Sequence, residues 1–310
     1  MTRAGFVAVV GAPNAGKSTL VNALVGTKVT IVSRKVQTTR FPVRGVALLG
    51  DVQMVLVDTP GIFAPRRRLD RAMVRSAWKG IQDADATVHV VDVEAEERAA
   101  RGLARAADRL AVRDARAISD GLRAMGAQAI LALNKIDRLK RERLLALAEA
   151  LFDEALHTEV FMISASGGAG VADLKGALAR RMPEGPWLYP PDQSADLPTR
   201  LLAAEITREK LYQRVHEELP YSAAVETTAF TDQADGSARI EQTILVERDG
   251  QRGIIIGHAG QTLKWIGQAA REELVALLDR PVHLMLQVKV RPGWSEDRRL
   301  FGDVGLDFDV

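Results

Sequence analysis

The chain has 310 residues, enough for two domains of ordinary size, and its 47% hydrophobic and 26% charged content is typical of a globular protein with a buried core. It contains no cysteine, which excludes disulfides, thiolate zinc sites and thiol nucleophiles. The net charge of +2 excludes no class of partner.

No apolar run approaches the ~20 residues of a membrane-spanning helix. The short apolar stretch behind Met1 is also too brief for the core of a signal peptide. We therefore expect a cytoplasmic protein, and we leave open a peripheral contact with the inner face of the cell membrane.

The first half alternates short aliphatic runs with amphipathic segments, a pattern typical of a mostly parallel α/β sheet flanked by helices. A helix is predicted from Ser18, and the segment between residues 93 and 118 is predicted to be a charged surface helix that serves as scaffold. Strands are predicted at residues 6–10, 43–49, 53–58, 86–92, 129–134 and 159–164.

The first predicted strand runs into a glycine-rich loop of the form GxxxxGK[ST]. In such a P-loop the backbone N–H groups close around phosphate oxygens, the lysine neutralises phosphate charge and the hydroxyl binds Mg²⁺. The alternative, a glycine-rich turn with a surface lysine, fits the strand–loop–helix context less well. The predicted phosphate-binding residues are Gly11, Ala12, Pro13, Asn14, Ala15, Gly16, Lys17, Ser18 and Thr19.

A second motif, Asp58-Thr59-Pro60-Gly61, closes the third predicted strand. A carboxylate at this place can hold the Mg²⁺ shell through water, and the N–H of Gly61 can sense a γ-phosphate. Seen alone, the motif is also a common Asp-initiated turn. We predict that these four residues and the following Ile62 line the nucleotide site.

Two further motifs follow later strands. Asn134, Lys135 and Asp137 stand behind the strand at 129–134, and a carboxylate at Asp137 can accept two N–H bonds from guanine but none from adenine. Asp137 could otherwise be a helix N-cap. Ser164 and Ala165 follow the last strand, where a backbone N–H could meet the guanine O6. Together the motifs predict a GTP site.

Prolines concentrate between residues 184 and 198, which predicts a stiff linker between a GTPase domain at 1–183 and a second domain at 199–310. In the second domain we predict a helix at 199–217, strands at 223–231 and 238–247, two helices around residues 257–260, and a strand at 282–291.

The loop Gly257-His258-Ala259-Gly260 has the form GxxG. This element order is that of a type II KH domain, in which the GxxG backbone clamps single-stranded nucleic acid. A neutral imidazole adds little charge between the glycines, and acidic residues outnumber basic ones over 199–310. Phosphate binding should therefore depend on Arg252, Lys264, Lys289 and Arg291. A plain helix–helix turn is the alternative.

These motifs resemble the Era family, bacterial GTPases of small-subunit ribosome assembly, over nearly the whole chain. Residues 33–40, 218–222 and 305–309 carry the resemblance beyond the general GTPase motifs. It implies that Thr39 joins Ser18 and Asp58 around Mg²⁺, and that the 3′ end of small-subunit ribosomal RNA and the small ribosomal subunit are partners. The active form is expected to be a monomer.

Catalysis is predicted to involve Lys17, Thr39 and Asn14. Ile62 stands where Ras-like enzymes carry a water-orienting glutamine, so intrinsic hydrolysis should be slow. In related GTPases an asparagine at the place of Asn14 helps to bind K⁺; the alternative is that Asn14 only shapes the turn. A different function also stays open, a GTPase switch whose second domain binds a protein or membrane instead of RNA.

Overall fold

A computed structural model describes residues 1–33, 35, 37–215 and 219–310, the side chains of residues 220 and 221 excepted. These residues form two compact units. The first contains Met1–Asp196 together with Gly305–Val310, and the second contains Leu197–Val304.

The two units are divided differently from the predicted domains. Residues 184–196, predicted as linker, lie with the first unit, as do residues 305–310, predicted as part of the KH domain. The proline-rich segment is held by the Gln53 side chain, whose Oε1 accepts the N–H of Leu188 at 2.8 Å and of Tyr189 at 3.0 Å. Because these bonds satisfy its backbone, the segment packs as an edge of the sheet rather than as a free connection.

The first unit is built on a seven-stranded sheet within the described chain. Its order is β6-β5-β4-β1-β3-β2-β7. The strands are β1 (Arg3–Gly11), β2 (Val43–Leu49), β3 (Val52–Asp58), β4 (Ala86–Asp92), β5 (Ala129–Asn134), β6 (His157–Ile163) and β7 (Ala195–Asp196).

Strands β1, β3, β4, β5 and β6 are parallel, while β2 runs antiparallel to β3 and β7. The predicted mostly parallel sheet is therefore confirmed. The carboxyl ends of the five parallel strands lie at one edge of the sheet, which is where α/β folds place their ligands.

Six helices cover the two faces of this sheet in the described chain. They are α1 (Lys17–Val25), α2 (Arg68–Gln82), α3 (Val93–Ala100), α4 (Ala106–Ala124), α5 (Arg141–Leu151) and α6 (Val171–Arg181). Apolar side chains of α1 and α6 form one core with the sheet. Those of α2 and α4 form a second core on the other face, and α3 and α5 pack over β5.

The charged segment at 93–118 is two helices rather than the one predicted. Helix α3 ends at Ala100, and Gly102 adopts a positive φ of 69° before α4 begins. Its charges are also not all solvated, since Glu97 and Asp108 are buried and paired with Arg143 at 2.9 Å and Arg98 at 2.7 Å. The pairs explain how acidic side chains fit on the packed faces of these helices.

The second unit has a three-stranded sheet in the order β10-β9-β8. Strand β9 is antiparallel to β8 and parallel to β10. The elements are α7 (Thr199–Arg214), β8 (Ala223–Asp232), β9 (Ala238–Val246), α8 (Asp249–Ile256), α9 (Gln261–Leu278), β10 (Val282–Val290) and α10 (Arg298–Asp303). The predicted order of elements is confirmed, although α7 ends at Arg214 and residues 216–218 lie outside the described chain. Among the described helices of the whole protein, none is long and apolar enough to span a membrane.

Candidate functional site

The P-loop connects β1 to α1 at the edge where the parallel strands end. Asn14 has a φ of 63° and Gly16 a φ of 101°, both left-handed. A Cβ at Gly16 would lie 2.1 Å from the Nδ2 atom of Asn134, so only glycine fits there. This tight loop aims its backbone N–H groups and the start of α1 at one point, which suits a phosphate group.

Lys17 lies inside that loop. Its Nζ donates to the carbonyl oxygens of Gly11 at 3.1 Å and Ala12 at 3.0 Å, and its side chain is buried. Burial lowers the pKa of Lys17 to about 8, against the opposing charge of Asp58. The ammonium is therefore placed where phosphate oxygens would complete its hydrogen bonds.

Three hydroxyl groups surround the carboxylate of Asp58 at the end of β3. Its Oδ2 accepts from Ser18 at 2.7 Å, Thr30 at 2.8 Å and Thr39 at 3.0 Å. The hydroxyls of Ser18 and Thr39 are 2.9 Å apart. Burial raises the pKa of Asp58, opposed by Lys17 and these hydroxyls.

Of the two adjacent threonines in the predicted first switch, the structure places Thr39 at this cluster. Thr38 instead donates to the carbonyl of Lys35 at 2.7 Å and supports the loop. Arg34 and Val36 of the same segment lie outside the described residues.

The residues after Asp58 are positioned by the core. Thr59 donates to the carbonyl of Val9 at 2.8 Å, and a Cβ at Gly61 would approach Pro13 to 3.0 Å. The N–H of Ile62 bonds to Gly11 O at 3.3 Å, while its side chain is buried in the core under α2. Pro60 and Gly61 therefore lie beside the P-loop, and the Ile62 side chain faces away from it.

Asn134 connects the P-loop with the loop after β6. Its Nδ2 donates to Ala15 O at 2.8 Å, and its Oδ1 accepts the N–H of Ala165 at 3.0 Å. Asp137 accepts a hydrogen bond from Ser164 at 2.6 Å. The side chain of Asp137 is 43% exposed, so its carboxylate is oriented by Ser164 and still accessible to a ligand.

In the second unit, α8 ends in a turn formed by the GxxG residues. Gly257, Ala259 and Gly260 all have positive φ, of 73°, 48° and 76°. A Cβ at Gly257 would lie 2.3 Å from the Thr262 hydroxyl. The turn thus exposes its backbone at the start of α9, as a phosphate clamp requires.

The predicted RNA-binding side chains lie on the elements next to this turn. Arg252 is in α8, Lys264 is in the first turn of α9 and Lys289 is on β10; all three are exposed, as are His258 and Ala259. Arg291 differs, because its guanidinium is paired with Asp297. A contact from Arg291 to phosphate would have to compete with that carboxylate.

Comparison with known proteins agrees with both sites. A family model described as 50S ribosome-binding GTPase matches residues 6–135, and a KH domain model matches residues 218–295. GTPase Era of Caulobacter vibrioides is 67% identical over 309 residues, covering 100% of this chain and 98% of the relative. The chain belongs to the Era family of GTPases. GTPase Era of Maricaulis maris is 56% identical over 308 residues, covering 99% of this chain and 98% of that protein.

A solved Era structure extends this agreement to three dimensions. It superimposes with a TM-score of 0.87 at 37% identity and covers 98% of this chain and 99% of the other. That Era was crystallised with MgGDPNP and nucleotides 1506–1542 of 16S ribosomal RNA. The predicted α/β P-loop domain followed by a KH domain is thereby confirmed, as is the assignment as a GTPase.

The oxygen cluster around Asp58 fits a magnesium ion in this Era-family chain. Magnesium prefers hard oxygen ligands, which carboxylates and hydroxyls provide. The Oδ1 atom of Asp58 is buried and has no hydrogen-bond partner among the described residues. A buried carboxylate oxygen without a donor is costly unless a cation or its water satisfies it.

Two side chains in the nucleotide site were not predicted from the sequence. Thr30 is the third hydroxyl on Asp58, and Asn22 of α1 holds it there by accepting the Val29 and Thr30 N–H groups at 2.9 and 3.1 Å. Asp92 forms an ion pair of 2.5 Å with Lys135. Asp92 could have been found as the polar end of a buried strand, whereas Thr30 sits in a loop without periodicity.

Proposed function

We propose that GTP hydrolysis in the first unit gates the binding of single-stranded ribosomal RNA by the GxxG turn during assembly of the small ribosomal subunit. The main support is the convergence of the P-loop, Asp58, Asn134 and Ser164 at one sheet edge, in a chain whose relative was crystallised with a GTP analogue and 16S ribosomal RNA. The same RNA end is the proposed partner here.

In this proposal Ser18, Thr39 and Asp58 hold the Mg²⁺ that accompanies GTP or GDP. When bound, the ion neutralises charge on the β- and γ-phosphates. Thr39 belongs to the first switch, so loss of the γ-phosphate removes one reason for that loop to stay closed on Ser18. The switch would thereby report which nucleotide is present.

Asp137 selects the base, with Ser164 fixing the carboxylate and Asn134 fixing the loops on either side. The Ala165 N–H, whose nitrogen lies 3.0 Å from Asn134 Oδ1, lines the same region. Lys135 is directed at Asp92 and so braces the end of β4. Guanine satisfies the carboxylate with two N–H groups, which adenine cannot.

Hydrolysis relies on charge rather than on a water-orienting glutamine. Lys17 neutralises the β- and γ-phosphate oxygens, and the buried Ile62 side chain cannot orient water. We propose that Asn14, exposed on the P-loop, helps to bind K⁺ as an additional positive charge.

Turnover in K⁺ is expected to exceed turnover in Na⁺ several-fold, on the order of a stabilising cation at the transition state. The measurement is phosphate release at constant ionic strength, with the Asn14→Ala variant alongside. Equal rates in both salts would assign Asn14 to the turn alone.

The RNA side of the proposal rests on the GxxG backbone with Arg252, Lys264, Lys289 and the two loop residues His258 and Ala259. Filter binding of a 3′-end oligonucleotide should differ between the GTP-analogue and GDP states. Failure to retain RNA in either state would favour the alternative, a second unit that binds protein or membrane.

The ribosomal partner places the protein in the cytoplasm, as a monomer at the inner face of the membrane only when recruited there. Flotation with anionic vesicles tests the membrane contact. Sedimentation of the nucleotide-bound protein tests the monomeric state.

A further inference from the structure

Helix α2 and the residues before it carry a dense positive charge. Between residues 66 and 79 there are six basic residues and one acidic residue, in a protein of net charge +2. Arg67, Arg71 and Arg75 are exposed and spaced by four residues, so they form one row with a rise of about 6 Å between neighbours. We call this row, with Arg66 and Arg68, the α2 arginine face.

The single acidic residue in this stretch does not neutralise that charge. Asp70 is buried and accepts the backbone N–H groups of Arg66 at 3.1 Å and Arg67 at 3.0 Å, together with the Gln37 amide at 3.0 Å. The side chains of Arg66 and Arg67 form no hydrogen bond or ion pair with any residue that the structure describes. The face is therefore cationic toward solvent.

Residues 305–310, which we call the tail, lie on this face within the first unit. Arg75 is 3.9 Å from the Asp307 carboxylate, and the Arg71 Nε donates to an oxygen of Val310 at 3.3 Å. The Arg68 guanidinium stacks 4.4 Å from the centre of the Phe308 ring. The tail thus presents acidic oxygens on both sides of a planar ring.

That combination has the chemistry of a nucleotide strand. Guanidinium groups pair with phosphate oxygens and also stack on bases, and arginine does both in RNA complexes. We propose that the α2 arginine face is a second RNA-binding surface, for backbone beyond the oligonucleotide held by the GxxG turn, and that the acidic tail competes for it. This rests on the proposed RNA-binding function.

The charge balance of the second unit supports RNA as the occupant. Residues 197–304 contain 14 basic and 16 acidic residues, so that unit offers no excess positive charge. Affinity for RNA depends strongly on the number of phosphates that a protein neutralises. The α2 arginine face provides the cationic row that the GxxG unit lacks.

The test uses the full chain and two RNAs, a short single-stranded 3′-end oligonucleotide and the same strand extended on its 5′ side by a hairpin. The variant R67Q/R71Q/R75Q keeps good helix formers at each position. Its matched control, R101Q/R109Q/R141Q, removes three exposed arginines elsewhere on the first unit. GTP binding and circular dichroism check that both variants fold.

The α2 variant should bind the extended RNA about ten-fold more weakly and lose about three from the salt slope, one for each phosphate contact. Its affinity for the short oligonucleotide and the behaviour of the control should not change. The variant D307N/D309N, which lowers the charge of the tail, should bind the extended RNA more tightly.

Unchanged binding of the extended RNA by the α2 variant would overturn the proposal, as would an equal loss on both RNAs. Loss of binding to anionic vesicles with RNA binding intact would assign the face to a membrane instead. If the wild-type protein ignores the short oligonucleotide but binds the extended RNA through α2, the proposed GxxG function fails while this one stands.

Discussion

Asp137 shows how a single carboxylate can be prepared for base recognition. One oxygen accepts the Ser164 hydroxyl at 2.6 Å, and the other lies 3.2 Å from the Arg138 guanidinium. Both contacts keep the group ionised and oriented, while 43% of the side chain is exposed. Selectivity at this scale depends on matching donors with acceptors.

Replacing Asp137 by Asn should therefore reverse the preference for the base. An amide presents one donor and one acceptor, so guanine loses a hydrogen bond while the 2-oxo group of xanthine gains one. We expect GTP affinity to fall by about a hundred-fold or more and xanthosine triphosphate to bind better. Displacement of a fluorescent GDP measures both, and Asp173→Asn, an exposed acid on α6, is the control. Unchanged guanine preference would remove Asp137 from the base site.

His258 is the second residue whose change has a defined expectation. It is exposed in the GxxG turn, in front of a backbone already held in left-handed geometry. His258→Lys should add one phosphate contact, raise RNA affinity a few-fold and increase the salt slope by about one. Ala234→Lys adds the same charge in the β8–β9 turn and should have no such effect. An equal gain in the two variants would indicate unspecific attraction.

At the scale of one element, α7 contains a buried ion pair. Arg208 is 2% exposed and donates from Nε to Glu205 at 2.7 Å, one turn earlier in the helix. The guanidinium also lies 5.1 Å from the centre of the Tyr212 ring. Since α7 packs against β8 and α9, this pair sits inside the second unit.

Glu205→Gln should destabilise the second unit, because it leaves a buried guanidinium without its counter-charge. The expected loss in the free energy of unfolding is about 3 kcal/mol. The double variant E205L/R208M should recover much of that loss, since apolar side chains can fill the same volume. Urea unfolding followed by Trp265 and Trp294 fluorescence measures both. A double variant no better than the single one would place the cost in packing rather than in charge.

At the scale of the molecule, the sheet of the first unit contains two neighbouring imidazoles. His89 on β4 and His157 on β6 stack with ring centres 5.9 Å apart. Neither ring nitrogen of His89 has a hydrogen-bond partner among the described residues. Burial lowers the pKa of His89 to about 3, and His157 adds to the effect. Burial also lowers the pKa of His157, with Asp153 opposing and Arg123 assisting.

Both imidazoles must therefore be neutral in the folded protein but can take up protons once it unfolds. Because the folded pKa of His89 lies below its unfolded value of about 6.5, the unfolded state binds more protons below that pH. Stability should be full above pH 6.5 and fall as the pH drops toward 3, by up to about 1.4 kcal/mol per pH unit for His89.

The comparison of wild type with His89→Leu isolates this effect. The variant should lose less stability between pH 6.5 and pH 4.5, measured by urea unfolding at each pH. Parallel curves for the two proteins would contradict the assignment. His258→Lys is a suitable control, because that residue is exposed in the other unit.

The sequence by itself determined the sheet, the GTP motifs and the GxxG turn. Short apolar runs bury strands from both sides, and motifs such as that of Gly16 and Lys17 need particular residues at adjacent positions, so both are readable along the chain. The bounds of β2, β4 and β5 agree with the prediction to the residue.

Only the tertiary structure decided the contacts between distant segments. Thr30 on Asp58, Lys135 on Asp92, and the tail on α2 join residues 28, 43 and about 240 positions apart. The break between α3 and α4 was missed because buried acidic residues read as solvated ones until their arginine partners are known. Local pattern encodes which face of an element is apolar, whereas the partner of a charged or hydroxyl group depends on which segments the fold brings together.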